Sequence, residues 1–576
     1  RTCQGISEAV VVPHLDDNGT ELVAYVVSSA PVAPAALRRT LGHTLPDYMV
    51  PTRFVALTEL PLTSNGKVDR ARLPSPSSAQ HSRREYVAPR TPHQEVVARI
   101  WADVFRLDRV GIDEDFFELG GHSLRALTIM QRIHQELGID VSIGEVLSHP
   151  SIAALANVTA SKAPTVALPI VAVPAADHYA VSHGQRRLWL ISRIEEASPA
   201  YNVSSAFDLR GALDLAALRQ AFDALVVRHE SLRTVFVEVD DQPRQRILPG
   251  SSLPIGYVDL RGESDQESRL RTLVEQQAAA PFDLGRGPLL RVTVCQLEDS
   301  RSVLALTIHH IVSDEWSLRV LIAEAVHLYE SYRTGTEPRL APLAIQYKDY
   351  AAWQQRMLAA DGMNAHRQYW LSRLSGAAPA IDLPTDVDRP AVHSYRGRHH
   401  YAFIDAATRA RLRTLGAAHG ASPFMTLVAI VKVLLYRYTG QRDLAIGSPI
   451  AGRTHADLSN QIGFYVNTLV LRDQLHGEEP FDRLLARVKR TAEDAYEHQA
   501  FPFDRLVEEL DVPRDLSRSP LFDIMVTYES DVDAELAGTG VAAEDVRVDS
   551  GISKFDLTFA FAESERGIGV EIEYST

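Results

Sequence analysis

Two proline-cut stretches constrain what this chain can fold into more than any other feature. Residues 74–92 read PSPSSAQHSRREYVAPRTP, and residues 158–177 read VTASKAPTVALPIVAVPAAD. The first is rich in proline, serine and charge, the second in alanine, valine and proline. Neither holds a helical or strand period, so both read as linkers. They divide the 576 residues into 1–74, about 90–158 and about 178–576. That length suits several domains of roughly 150 residues each.

With 45% hydrophobic and 23% charged residues, the chain reads as globular. Its formal net charge of −15 argues against nucleic acid as a partner and offers no basic face to a membrane. No apolar run reaches about 18 residues, so no transmembrane helix is expected. The start, RTCQGISEAVVV, has neither an initiator methionine nor the charged-then-apolar pattern of a secretory signal. It reads as a fragment of a longer polypeptide. Cys3 and Cys295 lie far apart. That fits a reducing, cytoplasmic setting and gives no disulfide frame and no CxxC metal knot.

The first piece reads as a small α+β unit. Strand-like runs occur at Ala9–Val12, Val23–Val27 and Phe54–Leu57, with a helical segment at Ala35–Leu45. It closes on LPLTSNGKVDRARLP, where Asn-Gly makes a turn and Lys67 stands beside it. On spacing alone, Lys67 is a surface lysine after a turn. The second piece reads as four amphipathic helices, a small bundle. In HQEVVARIWADVFRL, Val96, Val97, Ile100, Trp101, Val104 and Phe105 share one face. Between the first two long helices lies DEDFFELGGHSL, and its Ser123 opens the next helix as an N-cap. The third piece alternates strands and helices in two similar halves, which suggests two packed α/β lobes.

That third piece holds TIHHIVSDEWS, residues 307–317, at the end of the apolar run SVLAL. Successive strand residues point to opposite faces, so His309 and His310 do not share a cleft if the strand continues. A common metal would need HxxxH or HExxH on a helix, and neither occurs here. Taken alone, the pair reads as two structural histidines.

The order of the surrounding motifs reverses that reading. LPDYMVP and LPLTSNGKVDR resemble the C-terminal subdomain of nonribosomal peptide synthetase adenylation domains. The resemblance implies that Lys67 contacts the carboxylate and phosphate oxygens of an acyl-adenylate. Because the large ATP-binding subdomain is absent, no adenylation activity is expected from this chain alone. FFELGGHSL resembles peptidyl carrier proteins. That implies 4′-phosphopantetheine on Ser123, placed there by a phosphopantetheinyl transferase, with its phosphodiester near a positive helix end. His122 stands where carriers that precede epimerization domains have aspartate. No epimerase is therefore expected next.

SHGQRRLWL, RHESLRTVF, HHIVSDEWS, YKDYAAWQ, IGFYVNT, HQAFPFD and SRSPLFD then follow in order. Together they resemble the condensation domains of nonribosomal peptide synthetases. The resemblance implies a multidomain fold ending in a V of two chloramphenicol-acetyltransferase-like lobes, with carrier-borne substrates entering a tunnel between them from opposite faces. The expected boundaries are 178–350 for the first lobe and 390–576 for the second. The chain stops at EIEYST, where the family continues for a few more turns.

By the family pattern HHxxxDG, His310 is the active-site histidine and His309 its structural neighbour. Asp314 orients the loop, paired with Arg228 or Arg233 of RHESLRT, and Ser317 supports it. Glu315 replaces the family glycine. It either points to solvent or an ion pair, or it contacts the acceptor ammonium or gates the tunnel. The implied reaction is attack of an acceptor α-amine on a donor thioester. The implied partners are an upstream adenylation core, a downstream acceptor carrier and aminoacyl or peptidyl thioesters, with an L-configured donor end. No DxxxxD replaces HHIVSD, which removes a heterocyclization domain. An epimerization domain shares HHxxxDG and remains an alternative, as does a non-catalytic docking platform.

Overall fold

The computed structural model describes residues 6–16, 19–28, 53–57 and 61 of the first piece. It then describes 86–162 apart from 106, 117–118, 120–128, 131, 135, 140, 142–144 and 147–148. From 169 to 576 it omits 194–198, 251, 377–379, 511, 513–514, 530–541, 547, 549–550 and 565. Lys67, Ser123 and the expected helix at 35–45 lie outside the described residues. The chain forms two compact units, Arg1–Thr165 and Val166–Thr576.

In the first unit, β1 (Ile6–Asp16) pairs antiparallel with β2 (Gly19–Ser28), which pairs parallel with β3 (Arg53–Leu57). Ala24, Tyr25 and Val26 of β2 are buried. Helix α1 (Pro92–Phe105) starts on a proline, whose fixed φ suits a first turn. Its apolar face buries Val97, Ile100, Trp101 and Phe105. Trp101, Phe105 and Phe116 meet edge to face, with the Trp101–Phe116 centroids 5.6 Å apart. Ile129, Ile133 and Leu155 complete this core. Helix α2 (Ile152–Ser161) is capped by Ser151, which accepts from the Ala154 N–H. The second linker therefore begins as helix and leaves it at Lys162.

In the second unit, the first lobe opens with α3 (His183–Ile191), capped reciprocally by Ser182 and Gln185. β4 (Asn202–Arg210), α4 (Leu215–Arg228), β5 (Ile255–Asp259), β6 (Leu290–Glu298) and β7 (Arg301–His309) follow. Then comes α5 (Glu315–Thr334), which ends at Gly335 in the left-handed conformation, φ 70°. β7 is flanked by β4 and β6 on its two edges. Both its faces are covered, which is why its sequence is nearly unbroken aliphatic. Leu218, Phe222 and Leu225 of α4 pack with Leu318, Leu321 and Leu328 of α5 over this sheet.

Helix α6 (Tyr347–Ala359) follows, and the second lobe contains β8 (Gly397–Asp405), α7 (Pro423–Thr439), β9 (Asp443–Ile450) and β10 (Asn467–Gln474). It continues with α8 (Phe481–Glu497), α9 (Phe503–Glu509), β11 (Ile524–Glu529), β12 (Ala542–Val546), β13 (Leu557–Ser564) and β14 (Gly567–Ser575). Its sheet runs β8-β14-β13-β11-β9-β10. The exception is β12, which pairs with β4 as a fifth strand of the first lobe's sheet. The chain thus leaves the second sheet after β11, adds an edge to the first and returns at β13. Helix α7 is apolar on nearly every side and lies in the second core. Its Lys432 is fully buried, bound to Asp473 and donating to the Leu471 carbonyl at 2.9 Å.

The linker also contributes to this unit. Ile170 packs with Ile345, Tyr347, Tyr350, Trp353, Leu458 and Tyr465, and the Val173 N–H donates to Asp349 of α6 at 2.8 Å. Among the described residues no single helix is long and apolar enough to cross a membrane. Among them, too, no group of three or more His, Cys, Asp or Glu could hold a metal.

Candidate active site

The two histidines separate because β7 stops between them. His309 is the last strand residue, opposite Asn202 of β4, and His310 begins a short 3-10 turn to Val312. The expected strand alternation therefore ends one residue early, and the turn moves the second imidazole away from the first. His309 is buried against Phe282, ring centroids 6.0 Å apart. Its Nδ1 accepts from the Ile311 N–H at 3.1 Å, and burial pushes its pKa down to about 3.

His310 is half-buried. Its Nδ1 lies 2.7 Å from the Ser313 carbonyl oxygen. A carbonyl only accepts, so Nδ1 carries the hydrogen and Nε2 keeps a free lone pair. Burial, with the charge of Lys554 second, pushes the His310 pKa down to about 4. The Ser313 carbonyl and Asp314 pull it the other way. The imidazole is thus neutral at pH 7. Its ring meets Phe464 of the second lobe edge to face at 5.0 Å.

Asp314 braces this turn from below. It caps α5, its Oδ1 accepting from the Ser317 N–H at 2.7 Å and from Arg453 Nη2 at 3.0 Å. Its Oδ2 accepts from the Tyr465 N–H at 2.9 Å. Ser317 Oγ lies 2.6 Å from Asp314 Oδ1 and 2.8 Å from the Gly463 carbonyl, with one proton to give to either. It accepts from Arg453 Nη2 at 2.7 Å and from the Gly463 N–H at 3.0 Å. Asp314 and Arg453 are both buried, so each charge needs the other.

The expected pairing of Asp314 with Arg228 or Arg233 is corrected by this arrangement. Arg228 leaves the end of α4 and forks onto Glu324, with Nε 3.0 Å from Oε2 and Nη2 3.1 Å from Oε1. His229 Nε2 reaches the same carboxylate at 2.7 Å. Glu324 sits on α5 about 15 Å along the axis from Asp314, at 1.5 Å per residue. Helix α4 therefore meets α5 well above its N-terminus. Arg233 Nη1 donates to the Leu248 carbonyl at 2.6 Å, and its Nη2 lies 3.7 Å from Glu230.

Glu315 is the first residue of α5 and is mostly exposed. It pairs with Arg319 one turn on, at 2.9 Å. Arg319 also lies 3.8 Å from Glu529 at the end of β11. Burial, then the Glu315 charge, pushes the Glu529 carboxyl up to about 7.

Several contributors lie outside the residues singled out from sequence. Gln185 Nε2 donates to the Ile311 carbonyl at 3.2 Å, which ties the SHGQ motif to the histidine turn. The Tyr347 hydroxyl donates to the Phe464 carbonyl at 2.6 Å and stands 2.8 Å from Ser182 Oγ. Two glycines permit this closeness. A Cβ on Gly463 would lie 2.0 Å from the Tyr347 ring, and one on Gly184 would lie 2.5 Å from the Phe464 ring. Gln185, Tyr347 and Phe464 all sit in motifs quoted above. Arg453 follows DLAIGSPIAG, a strand-and-loop segment with nothing local to link it to Asp314.

Comparison with known proteins decides the family. The family described as Condensation domain matches residues 175–576. The chain belongs to the condensation-domain family. Ahead of the condensation domain, residues 95–158 match Phosphopantetheine attachment site and residues 1–67 match AMP-binding enzyme C-terminal domain. A linear gramicidin synthase of Brevibacillus parabrevis is 42% identical over 99% of this chain, and bacitracin synthase 3 of Bacillus licheniformis is 39% identical over 100%. The chain spans only 8% and 9% of those two proteins. Among solved structures, the X-domain from teicoplanin biosynthesis aligns with 28% identity and a TM-score of 0.64, covering 71% of this chain and 92% of that one. The first condensation domain of the CDA synthetase shares the two-lobed fold, with 20% identity and a TM-score of 0.58 over 70% of this chain and 91% of that one.

Proposed function

We propose that this chain forms a peptide bond between a donor carried on Ser123 and an acceptor α-amine brought by a downstream carrier. The observation that carries the reading is the His310 imidazole, held by the Ser313 carbonyl at 2.7 Å so that Nε2, unengaged among the described residues, is left as an acceptor where the two lobes meet. Phosphopantetheine on Ser123 presents the donor as a thioester. His310 Nε2 accepts a hydrogen bond from the acceptor amine and aims its lone pair at the donor carbonyl.

Which effect dominates follows from magnitudes. General-base help is worth about 10²–10⁴-fold and is greatest when the base titrates near the working pH. An imidazole with its pKa pushed down to about 4 is reliably unprotonated but a weak proton acceptor. Holding two tethered reactants in line supplies effective molarities of about 10⁵ M or more. Orientation of the amine by Nε2 is therefore the larger share. The brace of Asp314, Ser317 and Arg453 keeps the turn in place.

The partners that fit are an upstream adenylation core, a downstream acceptor carrier and a phosphopantetheinyl transferase. Ser123→Ala protein incubated with coenzyme A and that transferase should gain no mass, while the parent gains one arm. A Ser123→Ala chain that still gains the arm would refute the assignment. A second reading, a docking platform, is favoured by the likeness to the teicoplanin X-domain, which was solved in complex with OxyB. A loaded parent chain that binds acceptor carrier but joins nothing would support that reading instead.

A further inference from the structure

Lys554 precedes β13 on a loop that is pinned from both sides. The Ser553 N–H donates to the Tyr395 carbonyl at 2.9 Å, and the Lys554 N–H donates to Glu573 Oε1 at 3.2 Å. From this second-lobe loop the side chain reaches the first lobe, where Nζ lies 5.5 Å from the centre of the Tyr201 ring. Tyr201 directly precedes Asn202, the residue paired with His309. The ammonium therefore arrives beside the histidine turn. It is the largest single charge acting on His310, and it acts on His309 as well.

The plain alternative is a structural lysine whose stem covers Tyr201. The same fold shows what a structural lysine looks like: Lys432 is buried, salt-bridged to Asp473 and bonded to a carbonyl. Lys554 Nζ differs. Among the described residues it has no hydrogen-bond or ion-pair partner; burial pushes its pKa down, and the Glu573 charge, acting through its field, pulls it back up. A half-buried cation held over Tyr201 beside the strand end that carries His309, with no hydrogen-bond or ion-pair partner among the described residues, is placed to receive a negative charge that appears transiently.

We propose that Lys554 is a catalytic residue: its ammonium binds the carbonyl oxygen of the donor thioester and holds the negative charge that gathers there while His310 Nε2 binds the acceptor amine. The amine lone pair forms the C–N bond as the carbonyl π pair moves onto the oxygen beside Lys554. The C=O bond re-forms as the C–S bond breaks, and the proton lost by nitrogen ends on the leaving sulfur. Lys554 keeps its own protons throughout. Losing one such charge-stabilising donor costs about 10²–10³ in rate. This inference rests on the peptide-forming reading above.

The test uses the full chain with a free Ser123 hydroxyl, as parent, Lys554→Met and Lys554→Arg, and a phosphopantetheinyl transferase attaches arm and donor together. Donors are loaded from a panel of L- and D-aminoacyl-coenzyme A, and acceptors are aminoacyl-N-acetylcysteamine thioesters. Single-turnover amide formation is read for the pair that the parent joins fastest. Lys554→Met should be about 10²–10³-fold slower, Lys554→Arg should recover part of that rate, and both should unfold at the parent's temperature. A second readout needs no loading: in a histidine NMR titration of the unloaded chain, Lys554→Met should raise the His310 inflection. An unmoved inflection would remove the ammonium from the site. A moved inflection with a rate close to the parent's would overturn the charge-holding role. A parent that joins no pair would sink the peptide-forming reading, and this role with it, whatever the titration gives.

Discussion

At the scale of single residues, the roles proposed for His310 and Asp314 rest on what each is denied. His310 is denied the charged form. Its pKa lies at about 4 in the fold, and burial is the first cause. The unfolded chain takes up that proton near the ordinary value of about 6.5. Below about 6.5 the unfolded state therefore binds more protons, and folding loses stability as pH falls from about 6.5 to about 4. A histidine NMR titration should place the His310 inflection near 4. An inflection near the ordinary value of about 6.5 would mean that the imidazole is not buried as described. Asp314 is denied water, and Arg453 and three other donors replace it. Arg453→Met leaves that buried carboxylate without its countercharge and should cost about 3–5 kcal/mol in denaturant unfolding. A loss under about 1 kcal/mol would show that the pair is solvated.

At the scale of elements, the site is a set of element ends: the C-terminus of β7, the N-terminus of α5 and the loop between β9 and β10. Glu315 sits where the α5 dipole favours a carboxylate and where Arg319 is one turn away. Glu315→Gln should change stability by less than about 1 kcal/mol. The same change should lower the Glu529 pKa, now pushed up to about 7 partly by Glu315. Carboxylate NMR would follow it, and an unmoved Glu529 would show that the two carboxyls do not face each other. The local parts of this design were readable from sequence, because they depend on neighbours along the chain. The end of the apolar strand, the aspartate that caps the next helix and the serine three residues on are all within TIHHIVSDEWS. The partner of Asp314 was not readable. Arg453 is 139 residues away and belongs to the other lobe, whereas Arg228 and Arg233 sit in a recognisable motif and serve α5 at Glu324 and the Leu248 carbonyl. Strand alternation alone predicts that His309 and His310 point apart. The physical cause is instead the turn that begins at His310.

At the scale of the whole molecule, the proposed reaction centre draws on both lobes. Lobe one supplies His310 and Asp314, and lobe two supplies Arg453, Phe464 and Lys554. The lobes are also joined by Arg187 of α3 and Asp504 of α9 at 3.2 Å, and by β12, which crosses from one sheet to the other. The two half-domains resembled each other in sequence pattern, but nothing local revealed a strand lent between them. The central claim is that His310 orients an amine for attack on a Ser123-borne thioester. Single-turnover amide formation by the donor-loaded chain, parent against His310→Ala, tests it most directly. The expected result is a new amide from the parent and a rate at least about 10²-fold lower from the variant, with equal donor loading in both. A His310→Ala chain that forms the amide at nearly the parent's rate would contradict the claim.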